Sequence, residues 1–401
     1  MRILYRPVWE GIQSALRDIF REGFPADKVI QRHLKTNRKW GSHDRKLFAE
    51  AVYDLVRWWR RLLFVADVPW PVTEFDINTL SRVIETWCLI HDVKLGSGIT
   101  SQRVGNVTNA WNDRSLPRAV RESIPDWLDA WGAEELGERW DKVLPVLNTI
   151  APAYLRANRL KITPEKLQAE LKQEKIDASL VGDDCLQLSA RTNVFLTKCF
   201  AAGHFEMQDR NSQLVAPAML AEPGQRVIDA CAGAGGKSLH LAALMKNKGK
   251  IIAMDVAEKK LEQLRDRSTR DGATCIETRV IDSTKVIKRL KDGADRVLLD
   301  VPCSGLGVLR RNPDSKWKLK PEEITALHQT QAEILSSYAQ MCKPGGILVY
   351  ATCSIAPSEN EKQVERFLSQ HETQFSLEEQ KTFYPEVSGP DGFFFARFKR
   401  S

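Results

Sequence analysis

"RVIDACAGAGGKSLHLAALM", residues 226–245, carries an apolar β-branched run, then a turn of small residues, then an apolar helical run. Glycine lets a backbone come close to a ligand, and the first turn of the helix behind it offers unpaired N–H groups. Outward from this stretch the pattern repeats. "KIIAMDV" (250–256), "CIETRVID" (275–282), "RVLLDVP" (296–302) and "GGILVYATCS" (345–354) are further short apolar runs with helical stretches between them. That alternation predicts an α/β Rossmann-like domain, a doubly wound parallel sheet over residues 206–401. Ligands of such sheets bind at the carboxyl ends of the strands, near the point where the strand order reverses.

Two nucleotide readings compete for the turn. Gly236, Lys237 and Ser238 match the end of a phosphate-binding P-loop, and "RVLLD" resembles the strand and aspartate that hold magnesium. That motif also needs a glycine five residues before Gly236, where this chain has Cys231. The second reading is a dinucleotide or S-adenosylmethionine (SAM) site, whose second strand ends in an acid for the ribose hydroxyls about 20 residues past the turn. Asp255 stands there. Asp282 ends the third strand, placed for the adenine amino group, and Asp300 ends the fourth. With Asp229, four successive strands end in aspartate. Each alone could cap the next helix, but ionised carboxylates are costly to bury in a core, and the set reads as ligand binding.

The rest of the chain differs in texture. Ten of the eleven tryptophans lie at or before Trp140, the exception being Trp317. "DRKLFAEAVYDLVRWWRRLLF" (44–64) puts Leu47, Val52, Leu55, Val56 and Trp59 near a 3.6-residue period, with a helix start at Ser42. "RAVRESIPDWLDAWGAEELGERWDKVL" (118–144) predicts two short helices broken at Pro125 and near Gly132. An all-α domain over residues 1–145 follows, then a small α+β subdomain over 146–205 where strand and helix signals alternate. Residues 1–60 hold thirteen Lys or Arg against seven Asp or Glu, within a chain of net charge +7. A basic surface of this kind favours polyanions such as nucleic acid. No run approaches the roughly 18 to 20 apolar residues that span a bilayer, and the first residues lack the apolar core of a signal peptide. No membrane association and a cytoplasmic location are expected.

The eight cysteines, at 88, 185, 199, 231, 275, 303, 342 and 353, form no C-x-x-C pair and no metal-ligand spacing, so no metal is expected. Two of them sit in informative surroundings. "LLDVPCSGLGVLRRNPDSKW" (298–317) sets Asp300 and Cys303 at a strand end before a loop holding Arg310, Arg311, Lys316 and Trp317, with Lys318 and Lys320 following. Such a loop offers phosphate contacts and one stacking surface for a nucleic acid. "VYATCSIAPSEN" (349–360) gives Cys353 a similar setting. The residues alone leave open which cysteine attacks, or whether both are packing.

These stretches resemble the RsmB/Fmu (Sun) group of RNA cytosine-5 methyltransferases. "DACAGAGGKSLHLA" looks like its SAM loop, "DVPCSGLGVLRRNPDSKW" its PC motif, and "VYATCSIAPSENEKQVERFL" its TC motif. "GHFEMQDRNSQL" is similar to the segment before the first strand, and "GPDGFFFARFKR" to the final hairpin. The leading helical region is similar to the NusB-like domain of bacterial members, and "YLRANRLKITPEKLQAEL" to their small RNA-contacting subdomain. The chain departs from the family pattern at Ala234, usually proline, and at Val301, usually alanine.

The resemblance implies SAM as cofactor, held by Cys231, Ala232, Gly233, Ala234, Gly235, Gly236 and Lys237 of the loop and by Asp255, Asp282 and Asp300. It implies RNA as partner, ribosomal RNA first, with transfer RNA or a non-catalytic RNA-binding role as alternatives. A monomer is expected. Cytosine C5 is a poor nucleophile, and a thiolate added at C6 makes it attack. The resemblance assigns that attack to Cys353, product release to Cys303 and contact with N3 of the base to Asp300.

Overall fold

The computed structural model describes residues 2–99 and 107–401. Its backbone gathers into two compact units, one of Met1–Thr149 with Leu309–Pro321, the other of Ile150–Val308 with Glu322–Ser401. The sequence suggested boundaries at 145 and 205. Instead, residues 150–205 share a unit with the large sheet, and a short stretch from the far half of the chain joins the first unit.

The second unit is built on seven strands: β1 Arg226–Asp229, β2 Lys250–Asp255, β3 Ile276–Val280, β4 Ala294–Asp300, β5 Cys342–Thr352, β6 Phe375–Phe383 and β7 Phe393–Arg400. Their spatial order is β6-β7-β5-β4-β1-β2-β3. The pairs among β1 to β5 are parallel, whereas β7 runs antiparallel to both β5 and β6. Period-two alternation divides each strand between two cores. Val227, Ile251, Ala253 and Leu298 face one side, where Leu239 and Leu241 of α1 (Gly236–Leu244) and Leu261 and Leu264 of α2 (Glu258–Asp271) cover them. Ile228, Ile252, Leu299 and Tyr350 face the other, under Leu335 of α3 (Pro321–Tyr338) and Val364 and Phe367 of α4 (Glu361–His371). The chain order reverses between β1 and β4, which opens a crevice at their carboxyl ends.

The same unit carries a four-stranded antiparallel sheet, in the order Ala178–Leu180, Cys185–Leu188, Tyr154–Ala157, Phe205–Met207. Helix Pro164–Gln173 packs on it through Leu167 and Leu171. Proline at its first position and the Thr163 hydroxyl, which accepts from the Lys166 N–H at 3.3 Å, start that helix.

The first unit is mainly helical, and Leu47, Val52, Leu55, Val56 and Trp59 are all buried in its core. It is not all-α. Arg2–Leu4 pairs in parallel with Val93–Leu95, partners 91 residues apart (Arg2 with Val93) that local periodicity does not reveal. The break expected near Gly132 falls instead at Gly137, whose φ is +53°. Gly132 lies inside helix Asp126–Leu136, at a place where a Cβ would sit 2.5 Å from the Trp140 ring.

Candidate active site

The turn after β1 is held from several sides. The Ala232 N–H donates to the Met254 carbonyl at 2.8 Å, and the Gly233 N–H to Asp255 Oδ2 at 2.8 Å. Gly235 is left-handed, with φ +84°, and a Cβ on it would lie 2.0 Å from Leu264 Cδ1, so only glycine fits. The carbonyls of the turn are gripped by arginines that sequence reasoning missed. Arg267 donates to the Ala234 carbonyl at 2.6 Å and Arg156 to the Gly236 carbonyl at 2.7 Å. Arg156 comes from the small sheet and is buried, which pulls its guanidinium down to about 9. Arg267 is itself fixed by Glu206 at 2.6 Å. The small sheet therefore braces the loop from a distance of some 80 residues in sequence.

The four strand-end aspartates divide in their roles. Asp229 is buried and accepts the Ser238 hydroxyl at 2.6 Å, while its other oxygen has no hydrogen-bond partner. Burial, first of all, raises its carboxyl to about 7. It braces the turn from beneath, and it ties up the Ser238 hydroxyl that a P-loop would give to magnesium. Asp255 accepts from the Gly233 N–H and, at 2.8 Å, from the Ala257 N–H, so its carboxylate is fixed in direction. Asp282 is exposed beyond the end of β3 and accepts the neighbouring Ser283 hydroxyl at 3.0 Å. Asp300 pairs with Lys237, Nζ to Oδ2, at 2.6 Å, and that ammonium also lies 4.9 Å over the Phe393 ring.

Both cysteines leave the sheet side by side. Asp300 of β4 is in register with Ala351 of β5, so Cys303 and Cys353 follow from adjacent parallel strands. Their sulfurs lie 3.3 Å apart, and both residues are half-buried. The contact with Cys353 comes first among the causes that push the Cys303 thiol well above its ordinary range, followed by burial and by Cys353 and Glu359 as negative neighbours. Either sulfur can serve as the donor of that contact. Cys231 is also held protonated, by burial and by Asp229, Asp300 and Asp255 around it.

Glu359 is the group behind the pair, and nothing in its sequence context announced it. It is fully buried, accepts the Ser304 N–H at 2.7 Å and the Ser304 hydroxyl at 2.5 Å, and accepts Gln331 Nε2 at 3.0 Å. Gln331 also donates to the Pro302 carbonyl at 2.9 Å. The neighbouring Asn360 serves the other loop, receiving the Thr352 hydroxyl at 2.6 Å and donating to the Ser354 carbonyl at 3.1 Å. Between the loops, Gly307 donates to the Cys353 carbonyl at 3.1 Å, and a Cβ on it would strike the Gly392 carbonyl at 2.4 Å.

The loop after Cys303 overturns one expectation. Arg310 and Lys316 are buried in the first unit, not presented to a polyanion. The Lys316 ammonium donates to the Arg57 carbonyl at 2.7 Å and to Asn148 Oδ1 at 3.0 Å, and burial lowers its pKa far below the usual lysine value. The Arg310 carbonyl accepts from Arg57 at 3.1 Å. Trp317 gives its Nε1–H to the Val56 carbonyl at 2.7 Å and packs on the core of that unit. Arg311 is half-buried and Lys320 exposed. Clustered charge in a sequence reads as solvated, and only packing reveals that these side chains are anchors. A second surprise, among the described residues, is that Glu170, Cys199 and His204 bring potential ligand atoms within 4.8 Å. His204 Nδ1 and Glu170 Oε2 are already hydrogen-bonded at 2.9 Å, and burial followed by Glu174 and Glu170 pushes the Cys199 thiol up to about 12. No helix among the described residues is long and apolar enough to cross a membrane.

Comparison with known proteins agrees with this arrangement. Residues 216–399 match the family model described as 16S rRNA methyltransferase RsmB/F, and residues 124–195 match that of the ferredoxin-like domain of RsmF/B-like methyltransferases. A probable ribosomal RNA small subunit methyltransferase B of Bacillus subtilis is 32% identical over 296 residues, 69% of this chain and 65% of that one. The match thus spans just under two thirds of the Bacillus protein. The corresponding protein of Synechocystis is 34% identical over 318 residues, covering 73% of this chain and 70% of that one. Among solved structures, PH0851 superposes with a TM-score of 0.81 at 24% identity over 97% of this chain and 98% of that one. A methyltransferase homologue from Pyrococcus horikoshii gives a TM-score of 0.62 at 26% identity, over 71% of this chain and 97% of that one. NSun6 from the same organism, crystallised with SFG, gives 0.63 at 22% identity, over 70% and 99% of the two chains.

Proposed function

The chain belongs to the RsmB/F methyltransferase family, and from that premise we propose that it methylates C5 of a cytosine in RNA, with SAM as cofactor and Cys353 as nucleophile. The names of its relatives support ribosomal RNA as substrate. The crevice suits the cofactor. Asp255 offers a carboxylate of fixed direction to ribose hydroxyls, Asp282 an exposed acceptor for an adenine amino group, and the 72%-exposed Val256 an apolar surface beside them. Bound there, SAM supplies an electrophilic methyl group.

The observation that carries the reading is the sulfur pair at 3.3 Å, set beyond the ends of adjacent parallel strands. Covalent addition to the ring takes a thiolate, and the family resemblance assigns that attack to Cys353. Cys353 forms a bond to C6 of the base, and the negative charge moves to N3 and O2. Asp300 would meet that edge of the ring together with the Lys237 ammonium on its Oδ2, and the ammonium is the member of the pair that can donate to the developing charge. After transfer, the C5 proton leaves to a base, the C5–C6 double bond re-forms, and the C6–S bond breaks with its electron pair returning to Cys353. Cys303, within hydrogen-bond reach of that sulfur, assists the release. The base must leave its stack to reach the crevice.

Methyl transfer from SAM to small-subunit ribosomal RNA tests this, with wild type, Cys353→Ala and Cys303→Ala compared. Cys353→Ala should lose activity and trap no RNA, whereas Cys303→Ala should accumulate a protein–RNA adduct that survives denaturation. An adduct formed by Cys353→Ala would reverse the assignment, and a wild type that binds no SAM would end the enzymatic reading.

A further inference from the structure

We propose that a pocket in the first unit, walled by Arg61, Asn112, Arg114, Arg121 and Glu122, binds a backbone phosphate of the RNA. The proposal rests on the RNA reading above and gives it a site in the first unit, whereas the two cysteines belong to the second. The pocket encloses about 360 Å³, and three guanidinium groups meet one carboxylate in it. Arg121 Nε pairs with that carboxylate, on Glu122, at 3.1 Å.

Arg61 is the rigid element. It donates to the Arg121 carbonyl at 3.0 Å and to the Trp111 carbonyl, and its guanidinium lies 4.4 Å from the Trp111 ring centre and 5.7 Å from that of Trp58. A guanidinium has five N–H donors, and its Nε–H is buried with no protein partner. Burial chiefly, and Arg121 as a like charge, disfavour the protonated guanidinium of Arg61, while Glu122 opposes them. Holding cations together in a half-enclosed pocket costs the fold. An anion seated among them removes that cost.

Arginine forks match the oxygens of a phosphate two at a time. The half-buried Trp111 ring beside the fork gives a base something to stack on, for which an acidic peptide has no use. Arg114 is exposed and free to close over the occupant.

Full-length protein carrying Arg114→Gln with Arg121→Gln tests the site, and Arg61 is left in place because it holds two backbone carbonyls. Binding to a transcribed fragment of small-subunit ribosomal RNA is measured between about 50 and 200 mM salt. The double variant should bind roughly fivefold more weakly, and the slope of log affinity against log salt should shrink by about one. The KM for RNA should rise in proportion while SAM affinity holds. Lysine at both positions should restore most of the slope, which a merely structural role would not do. Unchanged affinity and slope in the glutamine variant, with wild type binding normally, would overturn the site and leave the pocket to an acidic protein or to nothing. If wild type binds RNA with the slope difference intact yet transfers no methyl group, the phosphate site stands and the enzymatic reading falls.

Discussion

A thiol works as a nucleophile only when it can lose its proton, and its neighbours decide that. Cys303 and Cys353 are matched in sequence setting, and the contact with Cys353, followed by burial, pushes the Cys303 thiol well above its ordinary range. Glu359 adds to this after the Cys353 contact and burial, since its carboxylate lies beneath Ser304 and adds negative charge near Cys303. Glu359→Gln places an amide N–H₂ where three donors converge, so one of them loses its acceptor. The expected cost is about 1–3 kcal/mol of stability. A displaced Cys303 loop should lower kcat roughly 10- to 100-fold with the KM for SAM little changed. Steady-state kinetics on purified protein would check this, and an unaltered kcat would mean that Glu359 merely packs. Neither Glu359 nor the arginines on the glycine turn could be picked out beforehand, since a buried glutamate and an exposed one look alike in a sequence.

Among elements, β1 with its turn and α1 was the most legible, because strand, glycine turn and helix each leave a local signature. The loop 309–321 was the least. Its arginines and lysines suggested a surface for RNA, but its partners Arg57, Val56 and Asn148 lie some 170 to 260 residues away. The anchoring role has its own test. Lys316→Met keeps the length of the side chain and leaves the Arg57 carbonyl and Asn148 Oδ1 without their donor, at about 1–3 kcal/mol each. All eleven tryptophans lie in the first unit, Trp317 included, so tryptophan fluorescence reports on that unit. The variant should unfold at a lower temperature by fluorescence while the salt dependence of RNA binding stays as in wild type. A reduced salt slope would return Lys316 to the RNA surface.

For the whole molecule, Asp229 is a carboxyl that couples stability to pH. Its folded pKa of about 7 lies above the unfolded value near 3.8. Below pH 4 both states hold the proton. Between about 4 and 7 the unfolded chain releases it while the folded one keeps it, so stability is lost as pH rises, by up to the order of 4 kcal/mol. Asp229→Asn still accepts the Ser238 hydroxyl and removes the titration. Monitored by far-ultraviolet circular dichroism, the variant should gain on wild type steadily from pH 4 to 7, and a constant difference over that range would refute the assignment. At this scale the doubly wound sheet was readable because β-branched runs alternate with helices, and the ends of its strands marked the crevice. The parallel pair of Arg2–Leu4 with Val93–Leu95 was not. Sequence alone determined the sheet, the aspartates at its edge and the two cysteine loops, since those depend on periodicity and on neighbours within a few residues. Tertiary structure decided the 3.3 Å approach of the sulfurs, the burial of Glu359 and the sequestering of Arg310, Lys316 and Trp317, because each depends on which distant segment packs against it.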